Sequence, residues 1–398
     1  MHFAAIGRVP GDPILGLIDA YNQDPNPDKF DLGVGVYKDA KGQTPILPSV
    51  KRAEQRLVDH QQTKTYIGGH GDSHFGQLIS ELVLGSHSPL LASKRAGATQ
   101  TPGGTGALRL AADFIGHCLP GRGIWLSDPT WPIHETIFAE AGLKVSHYPY
   151  VGNDNKLNVA GMLQALEAAP KGDVVLLHAC CHNPTGFDLA QADWLQVLEV
   201  VRRRQLLPLI DFAYQGFGDG LQEDAWSTRL FVRELPEVLI TSSCSKNFGL
   251  YRERVGALIV CAGDAEKLTD VRSQLAFLAR NLWFNPPDHG AAVVATILGD
   301  AELKYQWAQE VEAMRTRIAQ LRSGLVEALA AFGLAEHFAH INEQRGMFSY
   351  TGLTADQVKL LREKHSVYMV GSGRANMAGV DGTRLNQLAK AIAQVCTR

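Results

Sequence analysis

The chain has 398 residues, a net charge of −3, 45% hydrophobic residues and 20% charged residues. This composition is typical of a globular protein, and the length favours a large α/β domain with a smaller companion. The small net charge excludes a basic surface for nucleic acid or membrane, and no apolar run approaches the roughly 18 residues of a membrane span. Six scattered cysteines and the lack of a signal peptide favour a cytoplasmic protein with no disulfide framework or metal site.

The first third of the chain alternates helical patterns with glycine-rich loops. After an extended arm, the pattern predicts a helix at Ile14–Tyr21, a strand at Asp31–Tyr37, helices at Ser49–Gln61 and Phe75–Leu84, and a strand, turn and helix over Ala98–Ala112. The turn Gly103–Gly106 precedes a helix start, which presents free N–H groups and can bind phosphate. It is also compatible with an ordinary tight turn, and it matches neither GxGxxG nor the P-loop.

The middle of the chain repeats apolar runs bounded by turns. They are Gly123–Ser127, Val145–Tyr150, Asp173–His178, Leu206–Phe212, Val238–Ile240 and Val255–Cys261. Such runs, alternating with helical pattern, predict a mostly parallel sheet with helices on both faces.

The sequence pattern changes in the last third of the chain. It predicts a long helix at Glu302–Ala331, strands at Met347–Tyr350 and Val367–Val370, and helices at Thr354–Glu363 and Thr383–Val395. We therefore expect an arm at 1–14, a large domain at 49–312, and a small α+β domain formed by 15–48 together with 313–398.

Unusual polar residues follow several of the predicted sheet strands. They are Asn183, Asp211, Tyr214 and Lys246, with Trp131 after an earlier strand. Each has an ordinary explanation alone, as a turn, cap, core or surface residue, but ligands of open parallel sheets bind beyond the carboxyl ends of the strands. Asp211 ends an apolar run, so it needs a cationic partner. Together with the glycine turn and Arg254, the set fits pyridoxal phosphate, held as a lysine Schiff base with an acidic partner for its ring nitrogen.

Three segments carry a resemblance to a known family. His182–Gly186 (HNPTG), Asp211–Gly216 (DFAYQG) and Ser243–Tyr251 (SCSKNFGLY) resemble class I aminotransferases of the aspartate/aromatic subgroup. The resemblance runs in order from Gly11 to Arg374, and within the subgroup it is greatest to bacterial aromatic-amino-acid aminotransferases. It implies a fold-type I pyridoxal-phosphate-dependent transferase, with a mostly parallel seven-stranded sheet in the large domain, acting as a homodimer with shared active sites.

The resemblance also implies roles for residues around the cofactor. Lys246 would form the Schiff base and transfer the substrate proton, and Asp211 would pair with the ring nitrogen. Tyr214 and Asn183 would hydrogen-bond the ring oxygen, and Trp131 would stack on the ring. The remaining cofactor residues, which would hold the phosphate, are Gly103, Gly104, Thr105, Ser243, Ser245, Arg254 and, from the other subunit, Tyr66.

Further residues are implied in substrate recognition. Arg374 would clamp the α-carboxylate, although without the resemblance it would be expected at the surface, and Gly35 would contact the substrate. Arg280, donated from the neighbouring subunit, would bind the side-chain carboxylate of a dicarboxylic substrate. The apolar run Leu282–Phe284 favours aromatic side chains, since burying a ring contributes roughly 1.5–3 kcal/mol. It is equally compatible with packing at a dimer interface.

The sequence thus predicts ping-pong transfer of amino groups from L-Phe, L-Tyr, L-Trp and also L-Asp to 2-oxoglutarate. The alternative within the family is an aspartate aminotransferase with minor aromatic activity. A dinucleotide-dependent oxidoreductase requires GxGxxG after the first strand, which the turn at Gly103 does not supply. A catalytically silent cofactor-binding regulator would need a nucleic-acid-binding segment, for which neither length nor charge leaves room.

Overall fold

The computed structural model describes residues 2–8, 13–152 and 154–396. The chain forms two compact units, one of Thr44–Ala319 with Gln344–Gly346 and the other of Met1–Gln43, Gln320–Glu343 and Met347–Arg398. The N-terminal arm predicted at 1–14 lies partly outside the described residues, and the predicted domain limits near 48 and 312 remain a proposal. Within the described ranges, no helix is long and apolar enough to span a membrane.

The strands and the helices are numbered separately, each in chain order. The strands are β1 (Phe30–Asp31), β2 (Ala96–Pro102), β3 (Gly123–Asp128), β4 (Lys144–Pro149), β5 (Val174–His178), β6 (Leu207–Phe212), β7 (Val238–Ser243), β8 (Val255–Cys261), β9 (Phe348–Tyr350), β10 (Val367–Tyr368) and β11 (Arg374–Asn376). The helices are α1 (Pro13–Gln23), α2 (Pro48–His60), α3 (Ser73–Leu84), α4 (Pro89–Ala92), α5 (Gly103–Cys118), α6 (Pro132–Glu140), α7 (Val159–Ala168), α8 (Gln191–Arg204), α9 (Trp226–Glu234), α10 (Ala265–Trp283), α11 (Asp288–Leu298), α12 (Ala301–Ala330), α13 (Ala335–Phe338), α14 (Ala355–His365) and α15 (Leu385–Cys396).

The larger unit is organised around a seven-stranded sheet in the order β2–β8–β7–β6–β5–β3–β4. Strand β8 is antiparallel to both neighbours, and the other six strands are parallel to one another. Every residue of β5, β7 and β8 is buried, because helices cover both faces of a parallel sheet and leave no polar side to the strand. The mostly parallel sheet flanked by helices that the sequence predicts is therefore confirmed.

Packing of helices on the sheet fixes the position of the strand ends. Leu108 and Ile115 of α5 share one buried cluster with Leu275 of α10 and with Leu209 and Leu258 of the sheet. Each such side chain contributes roughly 1.5–3 kcal/mol when fully buried. The cluster thus holds the N-terminus of α5 beside the sheet edge on which the candidate site lies.

The second unit contains two small sheets and the helices α14 and α15. β1 pairs with β10 in parallel, and β9 pairs with β11 in antiparallel orientation. The strand predicted at Asp31–Tyr37 is wrong, because only Phe30–Asp31 is a strand. The Asp31 carboxylate accepts hydrogen bonds from the backbone N–H groups of Gly33 (3.2 Å) and Val34 (3.4 Å), and this turns the chain out of the strand.

Candidate active site

Four neighbouring strands end at the candidate site. Trp131 follows β3, Asn183 follows β5, Asp211 lies at the end of β6 with Tyr214 beyond it, and Lys246 follows β7. Asn183, Asp211 and Tyr214 are buried, whereas Trp131 and Lys246 are half-buried. The structure therefore brings these five predicted residues to one edge of one sheet, as the strand order requires.

Lys246 carries the amine at the centre of this edge. Burial lowers the pKa of that amine to about 8, the Asp211 carboxylate raises the pKa, and the Arg254 guanidinium lowers it. Its Nζ atom lies 5.1 Å from the centroid of the Tyr214 ring. A lysine amine with a lowered pKa is unprotonated in a sizeable fraction of molecules near neutral pH, so it can act as a nucleophile.

Asp211 is held by two side chains. His134 Nε2 lies 3.2 Å from Oδ2, and the Thr241 hydroxyl donates to Oδ1 at 3.2 Å. Burial raises the pKa of the Asp211 carboxyl, but the hydrogen bonds and attraction from His134 outweigh it and leave the pKa below its usual value. Asp211 is therefore an anion, and its partner is the His134 imidazole.

His134 is a site residue that the sequence did not predict. The residue lies in the first turn of α6, a helix that was not predicted, and only its place three residues after Trp131 could have signalled it. Its Nδ1 lies 2.9 Å from the Thr130 hydroxyl, which also lies 3.3 Å from His178 Nε2. Burial lowers the pKa of His178 to about 3, so this imidazole is neutral and orients the hydroxyl between the two rings.

The start of α5 and the Arg254 guanidinium lie side by side and together form a cradle. Gly103 has φ +72°, and a Cβ added there would lie 2.5 Å from Arg254 Nη2. Arg254 Nη1 in turn donates to the Ser245 hydroxyl at 3.4 Å and to the Tyr251 carbonyl at 3.1 Å. The guanidinium therefore reaches the helix start only because Gly103 has no side chain.

The helix start itself also fits a phosphate. Pro102 is the N-cap residue of α5 and provides no side-chain hydrogen bond to the first turn. A Cβ added to Gly104 would lie 3.0 Å from Ser243 Cβ, and Thr105 is exposed at this first turn. Free N–H groups, the positive end of the helix dipole and an arginine together suit a phosphate dianion.

The remaining predicted site residues form two groups. In the second unit, Arg374 is 4% exposed, which contradicts the surface position expected from sequence alone. Its Nη2 donates to the Gly33 carbonyl at 2.9 Å, and its Cζ lies 4.3 Å from the centroid of the Phe348 ring. A Cβ on Gly35 would lie 2.8 Å from the same ring, so Phe348 links both predicted residues.

The other group lies at the surface of the larger unit. Tyr66 is 78% exposed, and its ring contacts Phe284 with a centroid distance of 5.2 Å. Arg280 is exposed and lies with Cζ 4.7 Å from the centroid of the same ring. Among the described residues, no hydrogen bond or ring contact joins Tyr66 or Arg280 to Lys246 of the same chain.

A separate polar cluster lies below the loop that contains Asn183. The sulfur atoms of Cys180 and Cys181 and a carboxylate oxygen of Asp224 lie within 4.8 Å of one another. The Asp224 oxygens already accept four backbone N–H groups, from Gly216, Gly218, Asp219 and Gly220. The lone pairs of the Asp224 carboxylate are thereby occupied, and we propose that this carboxylate holds the loop of residues 216–220 in place.

Comparison with known proteins identifies the family of the chain. The sequence profile described as "Aminotransferase class I and II" matches residues 27–392. The chain belongs to this family. The fold-type I architecture expected from the resemblance is confirmed, and the interpretation as a dinucleotide-dependent oxidoreductase is wrong.

Individual aminotransferases cover nearly the whole chain. The aromatic-amino-acid aminotransferase of Pseudomonas aeruginosa is 74% identical over 395 residues, which are 99% of each chain. The aspartate aminotransferase of Salmonella typhi is 47% identical over 394 residues, covering 99% of this chain and 100% of the relative. The crystal structure of the aromatic-amino-acid aminotransferase from Burkholderia pseudomallei, covalently bound to pyridoxal phosphate, has a TM-score of 0.97 at 45% identity and covers 99% of each chain.

Proposed function

We propose that this aminotransferase uses pyridoxal phosphate to transfer amino groups from L-phenylalanine, L-tyrosine and L-tryptophan to 2-oxoglutarate, with L-aspartate as a further substrate. The observation that carries the reaction type is the lysine amine of lowered pKa beside the Asp211 carboxylate, at the sheet edge where the α5 cradle can hold a phosphate. Localisation in the cytoplasm is part of the proposal, and the free thiols of all six cysteines support a reducing compartment.

The residues present fit pyridoxal phosphate at both ends of the molecule. The N-terminus of α5 with Arg254, Ser243 and Ser245 would hold the phosphate, and Asp211 would meet the ring nitrogen. When bound, the cofactor supplies an electron sink for negative charge at the substrate α-carbon. The Asp211 carboxylate holds a proton on the ring nitrogen, and its hydrogen bonds from His134 and Thr241 keep that carboxylate ionised and oriented.

Lys246 has two tasks in this proposal. Its amine would hold the cofactor as a Schiff base, and as a free amine it would accept the proton from the substrate α-carbon. Trp131 would cover one face of the ring, while Asn183 and Tyr214 would donate to the ring oxygen. Arg374 would fix the α-carboxylate through two parallel hydrogen bonds, with Gly35 leaving room for the substrate.

Replacement of Lys246 tests the reaction type. Lys246→Ala is expected to abolish both transamination and the visible absorbance of the lysine-bound cofactor. Lys267→Ala is the matched control, because that lysine is exposed and pairs only with Asp270 among the described residues. Transamination retained by the Lys246→Ala variant would overturn the assignment.

Aromatic specificity rests on two observations. The identity of 74% to an aromatic-amino-acid aminotransferase exceeds the 47% to an aspartate aminotransferase, and the run after Arg280 is apolar, with Leu282 39% and Phe284 46% exposed. Steady-state kcat/KM values for L-Phe, L-Tyr, L-Trp and L-Asp test it. An advantage of L-Asp greater than about tenfold, or roughly 1.4 kcal/mol of transition-state binding, would favour the aspartate aminotransferase instead.

We further propose a homodimer in which Tyr66 and Arg280 act in the partner's active site. Support comes from the exposure of Tyr66, Phe277 and Phe284, which are 78%, 54% and 46% exposed, since apolar surface of this kind marks interaction sites. Coexpression of Lys246→Ala with Arg280→Ala subunits tests sharing. Half of randomly mixed dimers are hybrids with one intact site, so about a quarter of wild-type activity with L-aspartate should return. No recovery above the two single variants would refute shared sites.

A further inference from the structure

Helix α10 ends in a strained aromatic residue. Phe284 is the C-cap residue, with φ +66° and ψ −66°, and its N–H group donates to the Arg280 carbonyl at 3.2 Å. A positive φ is rare for a bulky side chain, and φ +66° with ψ −66° is the geometry of the rare and strained classic γ-turn. Strained residues persist where the surroundings hold them, and they cluster at functional sites. The Phe284 ring therefore requires an explanation beyond the helix end itself.

The ring of Phe284 joins two residues that the proposed function assigns to the partner's site. The Arg280 guanidinium carbon lies 4.7 Å from the ring centroid, which is within range of a cation–π contact. Tyr66 meets the same ring edge-on, at 5.2 Å and 64°. The loop that carries Tyr66 lies close to α10, because a Cβ on Gly69 would lie 3.1 Å from the Ala276 carbonyl oxygen.

The contact leaves the hydrogen-bonding capacity of Arg280 unused. Over the described ranges of the chain, no carboxylate lies within ion-pair distance of Arg280 and its guanidinium makes no hydrogen bond. An aromatic ring engages the face of a guanidinium, whereas a carboxylate binds two N–H groups along its edge. Phe284 can therefore order the arginine without competing with an anionic ligand.

We propose that Phe284 is a positioning residue, whose ring holds the Arg280 guanidinium in one arrangement for the side-chain carboxylate of a dicarboxylic substrate. The inference rests on the proposed function. It assigns the apolar run after Arg280 a role in dicarboxylate use, in addition to contact with aromatic substrates. A pre-ordered arginine loses less conformational entropy when the carboxylate binds.

The test compares half-reactions of the holoenzyme by stopped-flow absorbance, in which the pyridoxal form is mixed with one amino acid at a time and the pyridoxamine form is mixed with 2-oxoglutarate. Phe284→Leu keeps an apolar side chain and the strained backbone but removes the ring. Its kcat/KM with L-aspartate and with 2-oxoglutarate is expected to fall about two- to fivefold, the range of an exposed cation–π contact. The half-reaction with L-alanine should change by less than about twofold, because that substrate has neither a side-chain carboxylate for the guanidinium nor a ring for the apolar run. Phe284→Trp, which keeps an aromatic face, should retain dicarboxylate kcat/KM.

Phe277→Leu is the matched control. Phe277 lies on the same helix and is 54% exposed, but its ring pairs with His117 at 6.3 Å. Equal losses for aspartate and alanine in Phe284→Leu, or the same change in both leucine variants, would overturn the inference. Phe284→Met replaces the leucine variant if that protein does not fold. Absence of all transamination in the wild type would instead refute the proposed function.

Discussion

Gly103→Ala separates the role of the α5 cradle from simple backbone strain. The new Cβ would lie 2.5 Å from Arg254 Nη2 and 2.8 Å from its Cζ. These atoms are the far end of a flexible side chain, so we expect the guanidinium to move away while the protein still folds. The substituted residue must also adopt φ +72°, which costs an L-residue roughly 1–2 kcal/mol.

The expected magnitude for cofactor binding follows from the lost arginine contact. A hydrogen bond to a charged group contributes about 1.5–3 kcal/mol, so the affinity for pyridoxal phosphate should fall about 10- to 100-fold. Titration of cofactor-free protein with pyridoxal phosphate measures the affinity, and urea unfolding of the same protein measures stability.

Gly142→Ala is the control for strain. Gly142 has φ +81° and no atom within 4 Å of an added Cβ, so this variant should lose about the same 1–2 kcal/mol of stability and bind the cofactor normally. If Gly103→Ala binds pyridoxal phosphate as tightly as Gly142→Ala does, Arg254 does not contribute to the cradle and the reasoning fails.

Two further predictions concern the lysine and its acidic neighbour. Between pH 8 and 10.5 the unfolded chain holds a proton on Lys246 that the folded cofactor-free protein lacks, so the stability of that protein should rise with pH across this window. Cofactor-free Lys246→Met should be more stable than wild type by roughly 3 kcal/mol at pH 7, and a gap in urea unfolding that does not shrink toward pH 10.5 would contradict this. Asp211→Asn removes the charge that raises the lysine pKa and should lower kcat with L-phenylalanine by more than about 100-fold at saturating cofactor; a loss below threefold would exclude a role for this carboxylate.

The sheet was predictable because its signal is local. Strands such as β5 and β8 are buried on both faces, and this requires nearly continuous apolar residues that can be seen in any short window of sequence. The elements that escaped prediction include α6, α7 and α9–α11. Helices α10 and α11 pack mainly against elements far along the chain, whereas α6 and α7 pack against elements adjacent in sequence. The apolar pattern of these segments alone did not single any of them out as helices.

The sequence also indicated which polar residues form the candidate site, because Asn183, Asp211 and Lys246 each lie at or just after the end of an apolar strand. Whether these residues lie close together depends on the order of the strands in the sheet, which no single strand encodes. His134 became the partner of Asp211 only when α6 packed near β6, since the two residues lie 77 positions apart. The hydrogen bond that lowers the pKa of Asp211 and keeps it anionic thus arises from tertiary structure.

The residues proposed to bind the substrate show the same division most clearly. The sequence supplied an arginine at 374 and an apolar run after Arg280, and sequence chemistry alone predicted exposure for the first. Arg374 is buried because the Gly33 carbonyl, 341 positions earlier, accepts its hydrogen bond, and the exposed ring of Phe284 lies between Arg280 and Tyr66. A charge is buried or exposed according to the partners that distant segments bring to it, and only the tertiary structure supplies those partners.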